Sequence, residues 1–339
     1  RVLADGGRTA LYTHQAEAIR LLQRGENVVV ATPTASGKST CYTVPILEMV
    51  LAGKTKAERQ GRALLVFPLK ALAQDQLTKF EDYLRGTTHS GRTKIVACYD
   101  GDTDIAMRST IRTQASILLT NPDMLHQGIL QNHSLWGHFF QNLRYVVVDE
   151  SHSYRGVHGV HVSCVLKRLQ RVCRYYKSVP QFVLCSATIA NPREHAVKLT
   201  GRDFAVVGTE VNGAPRGART FVFWNPERST RRDKETGAEF ATRKTSEESC
   251  KLLAELVKTN MRTVAFLRTR KETELLAKST SELLASDPAS AHLSDRVAAY
   301  RSGYSAEERR KIEHDLFGGR LSAVASTSAL ELGVDIGGL

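Results

Sequence analysis

The sequence predicts an α/β chain of two lobes, each a mostly parallel sheet flanked by helices. Short, near-continuous apolar runs such as Asn27–Ala31 and Tyr145–Val148 recur along it, and runs of that kind are strands covered on both faces. Helical patterns with clear punctuation lie between them, so strand and helix alternate as in a doubly wound sheet. The alternation breaks once, near Thr209, and then resumes.

Each element follows in order. After the run ending at Ala31 comes a loop, then an apolar helical stretch to Val50, stopped by Gly53. Ala63–Phe67 is the next strand, ended by Pro68. Lys94–Tyr99, Ser116–Thr120, Tyr145–Val148 and Phe182–Cys185 are further strands. Asn191-Pro192 reads as an N-cap and first helical residue, and Gly201 as the stop. Residues 1–208 therefore form the first lobe. Residues 209–217, rich in Gly, Pro and polar side chains, form a linker. In the second lobe, 218–339, Phe221–Trp224, Thr263–Leu267, Val297–Tyr300 and Ser322–Ser326 read as strands. Ser246–Lys258, Arg270–Ala285 and Ser305–Phe317 read as helices. Arg228–Glu248 is charged and poor in apolar residues, and is expected to be a loop or poorly ordered insertion.

The chain has 339 residues, enough for two domains. Lys and Arg number 47 against 35 acids, a net charge of +12. That excess suits a polyanionic partner such as nucleic acid, although a basic and indifferent surface would give the same count. No apolar run reaches the ~18 residues of a membrane span. The start, Arg1-Val2-Leu3, is not a secretory leader, and without an initiator Met the true N-terminus is expected to lie upstream. The six cysteines (41, 98, 164, 173, 185 and 250) show no C-x-x-C spacing, so no zinc site is expected and a reducing compartment is.

Two motifs carry chemistry. Thr34-Ala35-Ser36-Gly37-Lys38-Ser39-Thr40 follows a strand and opens a helix. Gly37 lets backbone amides approach phosphate oxygens, and the helix N-terminus adds partial positive charge. Lys38 is placed to reach the β- and γ-phosphates of ATP, and the Ser39 hydroxyl to ligate Mg²⁺. Thr32 stands where the pattern G-x-x-x-x-G-K-[ST] has its first Gly, and a chance G-K-S in a strand–helix turn is the bland alternative. Asp149-Glu150-Ser151-His152 closes the run Leu143–Val148. Two acids ending an apolar strand are costly unless they have work to do. Asp149 would hold the Mg²⁺ shell and Glu150 would orient or deprotonate the attacking water. Solvated acids at a strand end are the alternative. Both motifs fall at the carboxyl ends of strands, the ligand edge of an open sheet.

At this point the chain resembles the superfamily 2 helicases of the DEAD/DEAH kind along nearly its whole length, which implies two RecA-like domains. Tyr12-Thr13-His14-Gln15 resembles the Q motif, in which Gln15 would read adenine and Tyr12 would stack on it. Pro68-Leu69-Lys70-Ala71-Leu72 resembles motif Ia and Thr120-Asn121-Pro122-Asp123 motif Ib. Backbone amides there, with Lys70 and the Thr120 hydroxyl, would grip phosphates without reading sequence. Asn121-Pro122 is equally an ordinary helix start. Ser186-Ala187-Thr188 resembles motif III, and His152 would bridge it to the nucleotide site. Arg268 falls at motif IV, on the nucleic-acid side. Ser326-Thr327 through Leu332-Gly333-Val334-Asp335 resembles motif V, where Thr327 would hold a phosphate and Gly333 and Asp335 would face the nucleotide.

Four local signatures narrow the likeness: the phosphate loop itself, Tyr99-Asp100-Gly101-Asp102-Thr103, Ser153-Tyr154-Arg155-Gly156-Val157 and Tyr300-Arg301-Ser302-Gly303-Tyr304. Together they resemble the branch of the bacterial YprA/MrfA helicases and the fungal and plant homologues of the human RecQ-four helicase. That resemblance implies an ATP-dependent DNA helicase that translocates 3′ to 5′ and serves DNA repair. It also implies ATP and Mg²⁺ as cofactors, single-stranded and tailed duplex DNA as partners, no membrane, and a nuclear location in a eukaryote or a cytoplasmic one otherwise. An RNA helicase or remodeller, and an ATP-gated nucleic-acid clamp that does not unwind, are the alternatives. The chain stops at Gly337-Gly338-Leu339, before any motif VI arginine and before the four-cysteine zinc domain usual in the branch. The expectation is a fragment that binds ATP and DNA yet hydrolyses poorly.

Overall fold

The computed structural model describes residues 10–52, 61–85, 95–215, 217–225, 230–232, 239–241, 245–301 and 303–327. The chain divides into two compact units, Arg1–Gly217 and Ala218–Leu339.

The first unit opens with α1 (Thr13–Gln23), then β1 (Val28–Ala31) and α2 (Ser39–Ala52). Next come β2 (Arg62–Val66), α3 (Lys70–Leu84), β3 (Val96–Cys98), α4 (Ile105–Gln114) and β4 (Ile117–Thr120). A short α5 (Pro122–Met124) runs into a π turn, Leu125–Leu130, and α6 (Gly137–Gln141) precedes β5 (Leu143–Val148). The long α7 (Gly156–Tyr175), β6 (Gln181–Ser186), α8 (Pro192–Thr200) and β7 (Ala205–Val207) complete it.

Seven strands form one sheet in the order β3-β4-β2-β5-β6-β1-β7, and every neighbouring pair is parallel. The strands are apolar along their length because helices cover both faces. Val28, Val29 and Val30 are fully buried, as are Leu64, Leu65 and Val146–Val148. β5, β6 and β1 lie side by side, with Val148 beside Leu184 and Ala31 beside Ser186. The loops after these three strands therefore leave the same edge together. β2 and β4 put theirs on the adjoining stretch.

Arg62 shows how β2 is anchored. Its buried guanidinium donates to the carbonyls of Thr113 and Ala115, 3.0 and 2.9 Å away, and meets His138 Nδ1 at 2.8 Å. Burial lowers its pKa to about 10, so it stays charged at neutral pH. The charge sits against the carbonyls ending α4, the end of a helix that favours a cation.

The second unit holds a small antiparallel pair, β8 (Thr230–Arg232) and β9 (Glu239–Ala241). It continues through α9 (Thr245–Lys258), β10 (Thr263–Phe266), α10 (Arg270–Ser286), β11 (Val297–Tyr300), α11 (Ala306–Phe317) and β12 (Ala323–Ser326). Its sheet runs β10-β12-β11, all parallel. Ser305 and Thr269 cap α11 and α10 through reciprocal side-chain and backbone bonds with Glu308 and Glu272. No helix of the described residues is long and apolar enough to cross a membrane.

Three expectations differ from this architecture. Phe221–Trp224 is not a strand: no described strand pairs with it, and its side chains are exposed, Phe223 almost wholly. Arg228–Glu248 is not a uniform loop, because it contains β8, β9 and the start of α9. β7, only three residues long, was not expected at all. Residues 209–217 pack with the first unit, where the Val211 carbonyl accepts the Thr13 hydroxyl at 2.6 Å.

Candidate nucleotide and nucleic-acid site

The loop between β1 and α2 is shaped by its own polar atoms. The Thr32 and Ser36 hydroxyls lie 2.7 Å apart, so Thr32, where the usual pattern has Gly, braces the turn. Ala35 and Gly37 both adopt left-handed backbone, with φ of 59° and 78°. Gly37 is demanded twice. A Cβ there would lie 2.6 Å from Gln15 Nε2, the very group that donates to the Gly37 carbonyl at 3.0 Å. Gln15 in turn accepts the Tyr12 amide at 3.0 Å. The opening of α1 is thus stitched to the phosphate loop. Half-exposed Tyr12 stacks on His14, which burial keeps neutral. Lys38 Nζ lies across the loop and donates to the carbonyls of Thr32 and Pro33 at 3.1 and 3.0 Å.

The acids end β5, two strands away. Asp149 is buried, and both its oxygens are engaged. Oδ1 accepts the Glu150 amide at 2.8 Å and Oδ2 accepts the Tyr42 hydroxyl at 2.9 Å. Burial pushes the Asp149 carboxyl up, while the Tyr42 hydroxyl, the Glu150 amide and Lys38 pull it down. Tyr42 was not singled out from the sequence. It lies four residues after Lys38 and three after Ser39, so helical spacing puts it on their face of α2. Its hydroxyl also interacts with Ser39. Half-buried Ser39 therefore joins the buried Tyr42 and Asp149 in one chain, with Gln76 of α3 3.4 Å from the same hydroxyl.

Glu150 is strained. It is not glycine, yet φ is 46° and ψ is 42°. The turn is held by the Glu150 carbonyl, which accepts the Ser153 hydroxyl at 2.7 Å and the Ser153 amide at 2.9 Å. Burial and the neighbouring Asp149 carboxylate push the Glu150 carboxyl up to about 7, against the opposing pull of Lys38. His152 Nδ1 lies 3.3 Å from a Glu150 oxygen, but the same nitrogen accepts the Ala187 amide at 3.1 Å. A ring that accepts there is neutral and carries its proton on Nε2. Burial and nearby cations hold the His152 pKa low, which agrees. The contact is thus no salt bridge. It joins the end of β5 to Ser186-Ala187-Thr188 after β6.

The adjoining edge is built differently. Pro68 and Leu69 lead into α3, where Lys70 is half exposed and pairs with Asp102 at 2.8 Å. Asp102 sits in a turn closed by the Asp100 carboxylate, which accepts the Asp102 amide at 2.9 Å. Asn121 Oδ1 accepts the Met124 amide at 2.8 Å, and Pro122 is the first residue of α5. Both are helix-start residues, whatever else they touch. Thr120 departs from expectation. It is buried, and its hydroxyl proton goes to the Tyr99 carbonyl at 2.7 Å. That single donor is spent inside the protein, so Thr120 positions Asn121 rather than offering a hydroxyl to a phosphate.

In the second unit Arg268 is exposed beyond β10, and Thr327 follows β12. These strands are neighbours, with Phe266 beside Ser326, so the two residues share one sheet edge. The signature at Tyr300–Tyr304 is locked to α10, where Glu274 Oε1 accepts Arg301 at 2.7 Å and the Tyr304 hydroxyl at 2.6 Å. Gly333 and Asp335 lie outside the described residues.

Ser39 and Asp149 fit an Mg²⁺ site of the kind that relies on substrate phosphates and waters. Such a site needs only one or two protein ligands. Among the described residues no group of three His, Cys, Asp or Glu could hold a metal by itself.

A seven-stranded parallel sheet with a phosphate loop, paired acids and Ser186-Ala187-Thr188 at three adjacent strand ends defines a RecA-like nucleotide-binding core. The chain belongs to the DEAD/DEAH box helicase family, whose model matches residues 12–195. It is 42% identical over 337 residues to the ATP-dependent helicase YprA of Bacillus subtilis, covering 99% of this chain and 42% of that protein. It is 41% identical over 330 residues to the ATP-dependent helicase HRQ1 of Saccharomyces cerevisiae, covering 97% of this chain and 29% of the other. The crystal structure of the helicase MrfA bound to DNA and AMPPNP superposes with a TM-score of 0.86 at 41% identity, covering all of this chain and 44% of MrfA. The chain thus spans less than half the length of these relatives.

Proposed function

We propose that this chain is the motor core of an ATP-dependent DNA helicase that moves 3′ to 5′ on single-stranded DNA, unwinds duplexes and serves DNA repair. The observation that carries the ATPase part is the convergence of Lys38, Ser39, Asp149 and Glu150 at the ends of β1 and β5, joined through Tyr42. ATP is the substrate. Amides of the loop Thr34–Thr40 and the start of α2 take its phosphates, and Lys38 leaves the Thr32 and Pro33 carbonyls for the β- and γ-phosphates. Gln15 and Tyr12 border that loop on the side of α1, the place for the adenine ring. Ser39 and Asp149 would hold Mg²⁺, which when bound would neutralise charge on the phosphates. Glu150, with a pKa near the working pH, orients and deprotonates the attacking water. His152 carries the change at Glu150 to Ala187, and so to the strand end that would sense hydrolysis.

The choice of DNA is supported by the MrfA complex with DNA, at 41% identity. Backbone amides at the start of α3 and at Asn121, with Lys70, Arg268 and Thr327, supply sequence-independent phosphate contacts. The direction and the repair role are read from the resemblance to the branch. Strand displacement by the full-length protein tests all of it, on DNA and RNA duplexes with 3′ or 5′ tails. Displacement of a DNA duplex from a 3′ tail, only with ATP, is the expected result. Equal action on RNA, or a 5′-tail requirement, refutes the corresponding part. DNA-stimulated hydrolysis without displacement would make the protein an ATP-gated clamp instead.

A further inference from the structure

Helix α7 leaves the strained Glu150 turn and is unusual in composition. Between Glu150 and Glu194 the chain contains no acid at all. Within it, α7 carries Lys167, Arg168, Arg171 and Arg174, together with His158 and His161. None of the four cations forms an ion pair among the described residues. One face of α7 closes a cavity of about 360 Å³ against α5 and the π turn behind it. Arg168, Arg171, His158 and His161 line it from α7, and Asp123 and His126 from the other side. Arg168 is fixed there, because its Nη2 donates to the His126 carbonyl at 2.9 Å and meets His126 Nδ1 as well. Its buried Nε has no hydrogen-bond partner among the described residues. His158 packs on Tyr154, ring centroids 5.7 Å apart.

The chemistry of this wall selects its occupant. Two guanidinium groups repel a metal ion, and no metal-holding cluster exists among the described residues. Planar donors facing a small cavity suit an anion, and a guanidinium fork beside imidazoles suits phosphate oxygens. Asp123, the one acid on the wall, opposes binding but is exposed and outnumbered. The cavity adjoins Asn121-Pro122, so a strand gripped by the amides at the end of β4 passes its mouth.

We propose that this cavity is a phosphate subsite for the DNA backbone, extending the grip of the β4 edge onto α7. The proposal rests on the DNA-binding reading above.

Cys164 supplies a reporter, because it lines the same cavity and is exposed. The full-length protein is alkylated with N-ethylmaleimide, and modification of Cys164 is followed by peptide mass spectrometry. Samples contain no ligand, AMPPNP alone, or saturating oligothymidylate, with DNA binding read by anisotropy in the same samples. DNA is expected to slow Cys164 modification several-fold while AMPPNP alone does not. Arg171→Ala, at an exposed position without a hydrogen bond or ion pair among the described residues, is expected to restore modification. It should also lower the slope of log affinity against log salt by about 0.7, the loss of one single-strand phosphate contact. Bound DNA with unchanged Cys164 modification overturns the subsite and leaves the helicase reading standing. Equal protection by AMPPNP alone overturns it too, as does an unaltered salt slope. Absence of DNA binding refutes both.

Discussion

Two stretches of the same sheet edge solve different problems in the first unit. At the ends of β1, β5 and β6, Lys38, Asp149 and His152 all spend their hydrogen bonds inside the protein. At the ends of β2 and β4, Lys70 lies in solvent with a surface partner, and in the proposed function the grip on DNA would fall to backbone amides at helix starts. The contrast follows from the chemistry each stretch is asked to do. Transition-state stabilisation needs groups that are already oriented in a dry site. A sliding grip on phosphates needs exposed, interchangeable donors whose contacts break as easily as they form.

The largest effects should come from the buried stretch. Glu150→Gln keeps the shape of the turn and removes the base, so ATP binding is expected to persist while DNA-stimulated kcat falls by about 10²–10⁴. Lys38→Ala is expected to abolish tight ATP binding, read by fluorescent-nucleotide titration. Normal turnover by Glu150→Gln would remove Glu150 from the mechanism and blunt the contrast between the two stretches.

Tyr42→Phe tests whether the buried network orients its members. It deletes only the hydroxyl that Asp149 Oδ2 accepts, leaving a buried carboxylate oxygen without its donor. A stability loss of about 1–3 kcal/mol is expected in denaturant melts, together with a raised Mg²⁺ requirement for ATPase. A variant with wild-type stability and Mg²⁺ dependence would mean that Asp149 needs no such support.

Why Tyr42 escaped sequence reading is instructive. The placement of Lys38, Asp149 and Glu150 beyond the ends of β1 and β5 was legible because the apolar runs located those ends. Both lobes followed from the same runs. Tyr42 sits in an apolar helix where a tyrosine reads as core, and only its distance to Asp149 reveals its partner. Thr120 misled in the opposite sense. Its motif position suggested an outward hydroxyl, whereas the close approach of β3 and β4 supplies the Tyr99 carbonyl as a buried acceptor. Phe221–Trp224 had the composition of a strand, but a strand also needs a neighbour to bond, which composition does not report.

The pH profile sharpens the comparison further. The Glu150 carboxyl is pushed up to about 7 by burial and by Asp149. The base is therefore ionised above about 7 and protonated below it. Since kcat/KM reports the free enzyme, ATPase kcat/KM should fall with falling pH through about 7, approaching tenfold per unit. The contacts proposed at the ends of β2 and β4 use amides, Lys and Arg and contain no carboxylate base, so they should not share that limb. An ATPase limb near the ordinary carboxylate value would show that burial does not tune Glu150.

The smallest effect belongs to the exposed stretch, and it tests the idea that the grip there is loose by construction. Lys70 is 48% exposed and Asp102 76%, so their ion pair is screened and contributes roughly 0.2–1 kcal/mol at most. Asp102→Asn frees Lys70 without removing the side chain from its turn, where Oδ1 of Asp100, not of Asp102, accepts the stabilising bond. Freed from its partner, Lys70 has nothing to break before meeting a phosphate, and one negative charge is gone from the same surface. Single-stranded DNA should therefore bind up to about fivefold more tightly, the equivalent of that ion pair. The gain should shrink as salt rises, because both the lost pair and the new contact are screened. ATPase kcat at saturating DNA should not move. A gain much larger than this, or a change in kcat, would show that the Lys70–Asp102 pair is a latch rather than a passing surface contact, and the two stretches of the edge would then be alike in how tightly they are held.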